Sequence, residues 1–292
     1  MAKARAIVRR LKAVQNIRKI TRTMQLIATA RYQAALDQTN KARPYAEGID
    51  QMTRHLCRGL EDLEHPLLKQ NTQAERSVLF VLTSNRGLCG GYNGAVLRKA
   101  TDYLNKNREQ GKTVDLHMIG KKGIAYSRFA GWPMTRQDTR FEDRPAYAEV
   151  EAMASEIIEA YTRQEINAVY VSYTRYVSTA VQRAELVSLL PIDRPAEIRS
   201  RQATETPVQF DFNPEPDVLL AELLPEMVKI RLFQCFMDAA VSEQVARMVA
   251  MKGATDAAND MIRTLTQQYN RARQTQITLE LLDIVGGANA LS

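Results

Sequence analysis

The sequence is poor in the residues that build catalytic, metal-binding or disulfide-linked sites. Among its 292 residues are only three cysteines and three histidines, and both kinds are scattered along the chain. No two cysteines have metal-ligand spacing, and their odd number argues against a disulfide framework, which fits a reducing compartment. No Ser/His/Asp constellation or pair of carboxylates can be assembled from spacing. We therefore expect no catalytic residue, no metal site and no cofactor in this chain.

Long apolar runs are also missing. No run approaches the roughly 20 residues of a bilayer-spanning helix, and the N-terminus lacks the apolar segment of a secretory signal. The chain is 45% hydrophobic and 25% charged, which is typical of a soluble, folded protein. Its length suits one large or two ordinary domains. We expect no direct membrane span.

Helix-breaking residues are nearly absent from the C-terminal segment, residues 226–285. It contains no proline and one glycine, Gly253. Its apolar stripe follows the 3.5-residue repeat of a coiled coil and consists of Met251, Ala254, Ala258, Ile262, Leu265, Tyr269 and Ala272. As one helix, these 60 residues would be roughly 90 Å long. A helix of that length needs another element to pack against.

The N-terminal segment carries a matching stripe. No glycine or proline precedes Pro44, so we predict one helix from about Ala4 to the region of Arg54, interrupted near the proline. Its stripe consists of Ile7, Leu11, Val14, Thr21, Met24 and Ala28, widened by Ile17, Ile20 and Ile27. The two stripes predict a long antiparallel coiled coil, in which each large buried apolar side chain contributes about 1.5–3 kcal/mol. The C-terminal helix is the longer one, so its end should project as a single helix.

Acidic residues are almost missing from the first 43 residues. Eleven basic residues face one acid, Asp37, which gives this stretch a net charge of +10 against +7 for the whole chain. Such a helix is typical of a nucleic-acid or membrane-surface binder, of an organelle-targeting peptide, or of a protein with an acidic partner. The remaining alternative is a helix whose charged face is simply solvated. The charge pattern alone does not decide among these four interpretations.

The middle of the chain alternates between strand and helix patterns. Strands are predicted at 77–83, 114–119, 166–173 and 181–190. One helix is predicted from the glycine-rich turn to about residue 108, and two more at 122–129 and 147–161. This alternation indicates an open α/β layer with mostly parallel strands. Pro216 and Pro225 suggest a short helix before the long one. We expect domains at 1–57, 74–212 and 215–292, with 193–216 as a surface connection.

The glycine-rich turn at 84–94 has the position of a nucleotide site. A strand followed by glycines at a helix start is where a dinucleotide pyrophosphate would bind. However, the glycines lack G-x-G-x-x-G spacing, no P-loop is present, and no acid follows the second strand to hold a ribose. A tight turn explains the glycines but not Arg86 and Cys89, which we expect to be exposed. A dinucleotide-dependent enzyme and a nucleic-acid-binding coiled coil stay as alternatives.

Four separated motifs carry a family resemblance across the whole chain. They are residues 14–24 (VQNIRKITRTM), 85–91 (NRGLCGG), 242–252 (SEQVARMVAMK), and 269–278 (YNRARQTQIT) with 284–287 (IVGG). They resemble the gamma subunit of rotary F-type ATP synthases. The resemblance implies a coiled coil of the two terminal helices and a Rossmann-like α/β domain that binds no nucleotide. Because the likeness begins at residue 1, it argues against a targeting peptide.

The resemblance also implies a function and partners. Such a chain is the non-catalytic rotor shaft, whose coiled coil stands in a hexamer of alpha and beta subunits. Its α/β domain lies with the epsilon subunit against the membrane ring of c subunits, and proton or sodium flow turns the ring and shaft for ATP synthesis. It is peripheral, on the cytoplasmic face of a bacterial inner membrane. No nucleic-acid partner is implied.

Individual positions take roles from the same resemblance. Met24, with Arg247 nearby, corresponds to the contact with the acidic lever loop of a beta subunit, and Cys89 with its turn to the contact with the lower face of beta. Beta's catch loop would meet Arg273, Gln274 and Thr278. The apolar bearing, turning in an apolar sleeve, would be Ile277, Leu281, Leu282, Ile284 and Val285. Chloroplast relatives insert a cysteine-containing loop where residues 193–212 hold no cysteine, so we expect no disulfide switch.

Overall fold

The chain forms two compact units. The computed structural model describes residues 2–59, 65–72, 74–141, 144–192 and 216–291. One unit comprises Met1–Ala30 with Arg247–Ser292, and the other comprises Arg31–Ala246. The sequence-based boundaries follow the ends of secondary structure instead, at 57, 74, 212 and 215, and they stay a prediction. The connection at 193–215, including its lack of a cysteine loop, lies outside the described residues.

Two long helices dominate the first unit, in which they run antiparallel. Helix α1 spans Ala2–Gly59 and helix α5 spans Pro216–Leu291. Val14 packs with Ala258 and Leu265 in the seam between them. The hydroxyl of Thr255 donates to that of Thr21 at 2.8 Å, and both side chains are buried. These contacts confirm the predicted antiparallel pairing of the chain ends.

Neither long helix breaks at its internal proline. The predicted interruption at Pro44 and the predicted separate helix between Pro216 and Pro225 are both wrong, since α1 and α5 are each continuous. An interior proline costs a helix about 3 kcal/mol. Residues beside each proline are buried in one core, including Ile49 near the first and Leu224 near the second. Each large side chain buried there contributes about 1.5–3 kcal/mol, which offsets the penalty.

The second unit contains a five-stranded sheet in the order β3-β2-β1-β4-β5. The strands are β1 (Arg76–Leu82), β2 (Thr113–Ile119), β3 (Arg136–Asp138), β4 (Ala168–Tyr176) and β5 (Gln182–Leu190). The first four are parallel and β5 is antiparallel to β4. The α/β layer is therefore confirmed. The sequence missed β3 because its three polar residues form no apolar run.

Helices cover both faces of the sheet. They are α2 (Tyr92–Glu109), α3 (Lys121–Ala130) and α4 (Tyr147–Thr162), and a short 3-10 turn spans Pro66–Leu68. Leu79 and Val81 of β1 pack against α2 and α3, whereas Phe80 faces α4 and the parts of α1 and α5 in this unit. Both faces of β1 are thus buried, as its continuous apolar run predicts. Among the described residues, no helix combines the length and apolar character needed to cross a bilayer.

Candidate partner-contact sites

The apolar end of α5 extends beyond the residues that α1 can cover. Thr21 lies opposite Thr255 and Arg18 contacts Asn259, so the same antiparallel register places Ala2 opposite about Thr275. The predicted bearing residues follow that point. Their side chains are between 46% and 68% exposed: Ile277, Leu281, Leu282, Ile284 and Val285. Clustered apolar side chains left in water in this way typically mark a surface for a partner.

The predicted polar contact lies at the start of the same uncovered segment. Arg273, Gln274 and Thr278 are all exposed. The hydroxyl of Thr278 donates to the backbone carbonyl of Gln274 at 3.0 Å, which places the two residues one turn apart on one side of α5. Among the described side chains, no ion pair or hydrogen bond is recorded for the Arg273 guanidinium or the Gln274 amide. Both groups can therefore bind outward, and the guanidinium suits a carboxylate.

The two residues predicted to contact the lever loop of a beta subunit differ in how far they are exposed. Met24 is half-buried on α1. Arg247 is buried, with only 6% of its surface exposed, and it interacts within the protein. A partner could therefore contact only the small exposed part of Arg247. Met24 is the accessible member of this pair.

Met24 belongs to a second apolar surface on α1, although the predicted seam included Met24 and was widened by three isoleucines. Ile17, Ile20 and Ile27 recur at the same three- and four-residue spacing as Met24 but are 48–58% exposed. They do not enter the seam, because the side facing α5 is occupied by Val14, Thr21 and Ala28. Burial separates these two surfaces, which periodicity alone had merged.

The glycine-rich turn corrects the expectation that Cys89 is exposed. Only 3% of Cys89 is exposed, and Asn93 Nδ2 donates to its Sγ at 3.3 Å. Asn93 Oδ1 also accepts a hydrogen bond from the backbone N–H of Ser84 at 2.9 Å. The side-chain amide of this one residue of α2 therefore bonds both ends of the turn. The exposed side chains of the turn are those of Arg86 and Leu88, and Leu88 is 59% exposed. A partner at this turn would meet them rather than the thiol.

The turn between β2 and α3, which contacts the glycine-rich turn through Asn85, leaves little room for a nucleotide phosphate. Phosphate sites need unpaired backbone N–H groups at a helix start. At the start of α3, the N–H of Lys121 bonds Asn85 Oδ1 at 3.0 Å and that of Gly123 bonds Thr83 Oγ1 at 2.9 Å. Gly120 has φ +97, and a Cβ there would lie 2.1 Å from the carbonyl oxygen of Thr83. Gly120 thus serves close packing of the ends of β1 and β2, which favours a structural role for the turn between β2 and α3.

No alternative catalytic centre emerges from the described residues. Within them, no group of three or more His, Cys, Asp or Glu side chains could hold a metal ion. His117 on β2 packs edge-on against Phe80 with ring centroids 5.0 Å apart, and burial lowers its pKa to about 4. It is a neutral packing residue. The candidate sites described above are exposed surfaces on α1, on α5 and at the glycine-rich turn.

Comparison with known proteins agrees with this arrangement of helices and sheet. Over residues 3–291 the chain matches the family described as ATP synthase, which identifies the class. It is 44% identical over 294 residues to the ATP synthase gamma chain of Rhodopirellula baltica, covering 100% of this chain and 99% of that one. The gamma chain of Saccharopolyspora erythraea is 38% identical, with 100% and 98% covered. The chain belongs to the ATP synthase gamma chain family.

Solved structures show the same fold at low sequence identity. The rotor of the Euglena gracilis mitochondrial ATP synthase matches with a TM-score of 0.61 at 16% identity, covering 94% of this chain and 99% of that one. A second Euglena structure, described as OSCP/F1/c-ring, matches with a TM-score of 0.65 at 17% identity, with 99% and 95% covered. The central stalk and c-ring of Tetrahymena thermophila gives 0.59 at 19% identity, with 80% and 99% covered.

Proposed function

We propose that this chain is the central rotor shaft of a rotary ATP synthase. It passes the ion-driven rotation of a membrane ring to the catalytic beta subunits, and transmits the reverse motion during ATP hydrolysis. Membership of the gamma chain family supports this role. The observation that carries it is the apolar end of α5, which continues past its helical partner and leaves five large apolar side chains exposed.

The shaft acts through unequal contacts. A ligand or partner can favour one conformation only by binding it better than another. The paired helices present different chemistry around their circumference: an apolar row at Ile17, Ile20 and Ile27 on α1, and the outward guanidinium of Arg273 on α5. Three equivalent subunits around such a rod would each meet a different side. Turning the rod exchanges those sides, so each subunit changes conformation in turn.

The partners follow from this role. We infer a hexamer of alpha and beta subunits around the paired helices, and an epsilon subunit and a c-subunit ring at the α/β unit. The structural neighbours are a rotor and an OSCP/F1/c-ring assembly, which supports these assignments. The basic residues of α1 suit an acidic lever loop, because complementary charges steer association. The chain lies peripherally on the cytoplasmic face of a bacterial inner membrane, which the bacterial relatives support.

The contact residues divide by mechanism. Met24 and the edge of Arg247 form the contact with the beta lever loop, and the turn of Cys89 meets beta through Arg86 and Leu88. Arg273, Gln274 and Thr278 form the polar contact with a second beta loop. The apolar bearing turns in an apolar sleeve, where few directional bonds oppose rotation. The chain itself performs no chemistry in this scheme.

Reconstitution tests the proposal. The chain is mixed with alpha and beta subunits of a gamma-lacking complex, and stoichiometry is measured by native mass spectrometry. One chain per three alpha and three beta subunits, with ATP-driven rotation of a bead on the chain, is the expected result. The variant Ile284→Asp/Val285→Asp should lose assembly or coupling. Its matched control, Lys99→Asp/Asp102→Lys, changes two residues of α2 in the sheet-bearing unit and should retain both.

The two rival functions give different results with the chain alone. A dinucleotide-dependent enzyme would bind nucleotide without partners. A nucleic-acid-binding coiled coil would retain DNA or RNA in a salt-sensitive manner. The rotor proposal predicts neither at physiological salt, and it predicts no ATPase activity of the isolated chain. Assembly failure together with either binding activity would replace it.

A further inference from the structure

Helix α3 exposes an aromatic and basic surface that none of the contact roles described above uses. One side of this helix is buried in the second unit. The opposite side carries Lys122, Tyr126 and Phe129, which follow one another at four- and three-residue spacing and therefore form one stripe. Phe129 is 90% exposed, more than any other large apolar side chain among the described residues. Such a side chain adds little to the core, and exposed apolar clusters typically mark an interaction surface.

The end of α3 holds a third aromatic ring beside this stripe. Gly131 has φ +70, and its N–H donates to the carbonyl of Arg128 at 3.4 Å. The N–H of Trp132 donates to the carbonyl of Ser127 at 2.9 Å. These two bonds form a Schellman motif, which typically brings the residue after the glycine back against the last helical turns. Trp132 accordingly meets Tyr126 edge-on, with ring centroids 5.3 Å apart, and also packs against the core below α3.

The charges of this surface all have one sign. The charged residues of α3 are Lys121, Lys122 and Arg128, and all three are exposed. Residues 116–137 contain no Asp or Glu. The acids on either side, Asp115 and Asp138, are mostly buried, and each is paired with an arginine of this chain. Together the exposed side chains form the α3 surface, which consists of Lys121, Lys122, Tyr126, Arg128, Phe129 and Trp132.

This combination of side chains fits an anionic lipid surface better than a protein. Tryptophan and tyrosine rings are enriched at the headgroup level of membranes, where lysine and arginine meet anionic lipids. Lysine is instead depleted at protein–protein interfaces. The side chains, rather than the helix N-terminus, supply the attraction, because the N–H groups of Lys121 and Gly123 are bonded to Asn85 and Thr83.

We propose that the α3 surface binds the headgroup region of an anionic lipid membrane. The three basic side chains contact lipid phosphates, the Phe129 ring enters the boundary of the acyl chains, and the Tyr126 and Trp132 rings lie at the headgroup level. The ten residues of α3 are only about 15 Å long, so this helix lies on the membrane and does not cross it. This binding does not depend on the proposed rotor function.

The fluorescence of Trp132 tests this inference directly, because Trp132 is the only tryptophan of the chain. The full chain is mixed, at physiological salt, with vesicles of phosphatidylcholine alone or with about one-third phosphatidylglycerol. The anionic vesicles should shift the emission to shorter wavelength, and brominated acyl chains should quench it. Neutral vesicles should do neither. Binding of the anionic vesicles through the basic helix α1 would leave the emission unchanged, and that result would overturn the inference.

The apolar contribution is tested by Phe129→Ala. This variant should need about tenfold more lipid for half-maximal quenching, because a large apolar side chain no longer leaves water. Its fold should be intact, since the Phe129 ring is 90% exposed. The matched control is Val177→Ala, which truncates a 56% exposed side chain after β4 and should behave like wild type. Unchanged binding of Phe129→Ala, or an equal loss in the control, would contradict the proposal.

The basic contribution is tested by Lys121→Gln/Lys122→Gln. Each lysine near an anionic surface strengthens binding about fivefold, so this variant should bind about 30-fold more weakly. The control Arg144→Gln/Arg163→Gln removes two exposed positive charges elsewhere in the same unit and should keep its binding. Equal losses would reduce the effect to net charge and overturn the inference. A response of Trp132 to polyglutamate but not to anionic vesicles would also overturn it, in favour of an acidic protein partner.

Discussion

Substitution of leucine by alanine should lower the stability of the helix pair at one position of α5 and leave it nearly unchanged at another. Leu265 lies in the seam with α1 and is 5% exposed, whereas Leu282 lies in the bearing and is 61% exposed. Truncation of a buried leucine to alanine costs about 2–5 kcal/mol, and a seam between only two helices can relax, so we expect about 2–3 kcal/mol for Leu265→Ala. Leu282→Ala should change stability by less than about 0.5 kcal/mol.

Two assays separate the predicted effects of these substitutions. Because the chain has two compact units, stability is read from hydrogen-exchange protection of residues 7–28, which report on the first unit alone. Rotational coupling is read as the ratio of ATP synthesis to ATP hydrolysis in the reconstituted complex. Leu265→Ala should lose protection by a factor of about 30 or more, since each 1.4 kcal/mol is a factor of ten. Leu282→Ala should keep its protection and lose coupling.

The refuting outcome concerns the projecting end. If Leu282→Ala destabilised the helix pair as much as Leu265→Ala, the end of α5 would be packed against this chain's own residues. The register drawn from Thr21 and Thr255 would then be wrong. If neither substitution affected coupling, the bearing role would fail while the coiled coil itself remained.

Three further changes test other parts of the structure. Gly120→Ala should prevent folding of the α/β unit, because φ is +97 and the new Cβ would lie 2.1 Å from the Thr83 carbonyl oxygen; soluble yield and circular dichroism measure this, and a normal melting curve would contradict it. His117→Phe should flatten the loss of stability on acidification between about pH 6.5 and pH 4, since burial lowers the pKa of His117 and the unfolded state takes up the proton first. Chemical denaturation at several pH values measures that slope, and an unchanged slope would count against it. Arg273→Ala should leave helix protection unchanged and reduce ATP-driven turnover of the complex several-fold through loss of an outward charge-assisted bond. Arg271→Ala, two residues earlier and on another side of the helix, is its control, and equal losses would show a merely electrostatic effect.

Periodicity was sufficient for the elements that bury one regular face. The seam of Val14 and Leu265 and the continuous run of β1 both follow from spacing, and both are present. The helices across Pro44 and Pro225 were not predictable in this way. Their continuity depends on side chains of distant elements that bury the turns around each proline. Helix propensity describes the free-energy cost of each proline but not the burial of distant side chains that offsets it.

The candidate sites likewise include one that the sequence predicts and others that depend on distant contacts. The bearing follows from excess helix length, because residues without a partner stay exposed whatever their hydrophobicity. The burial of Cys89 does not, since it depends on Asn93 turning inward from the next helix. The exposed row of Ile17, Ile20 and Ile27 was likewise hidden, because a broad stripe on a helix can serve one surface or two. Which of these it is depends on the width of the facing helix.

The hydroxyl pair of Thr21 and Thr255 sits in an otherwise apolar seam and has a consequence for the reach of the projecting tip. Sliding one helix past the other by a heptad would keep apolar side chains facing each other but would separate the two hydroxyls. Each would then keep only its bond to a carbonyl of its own helix, that of Arg18 for Thr21 and that of Met251 for Thr255. Such a slide would also lengthen or shorten the overhang by about 10 Å. The hydrogen bond between the threonines thus favours one register, and with it one length of the free helix end that can enter a partner.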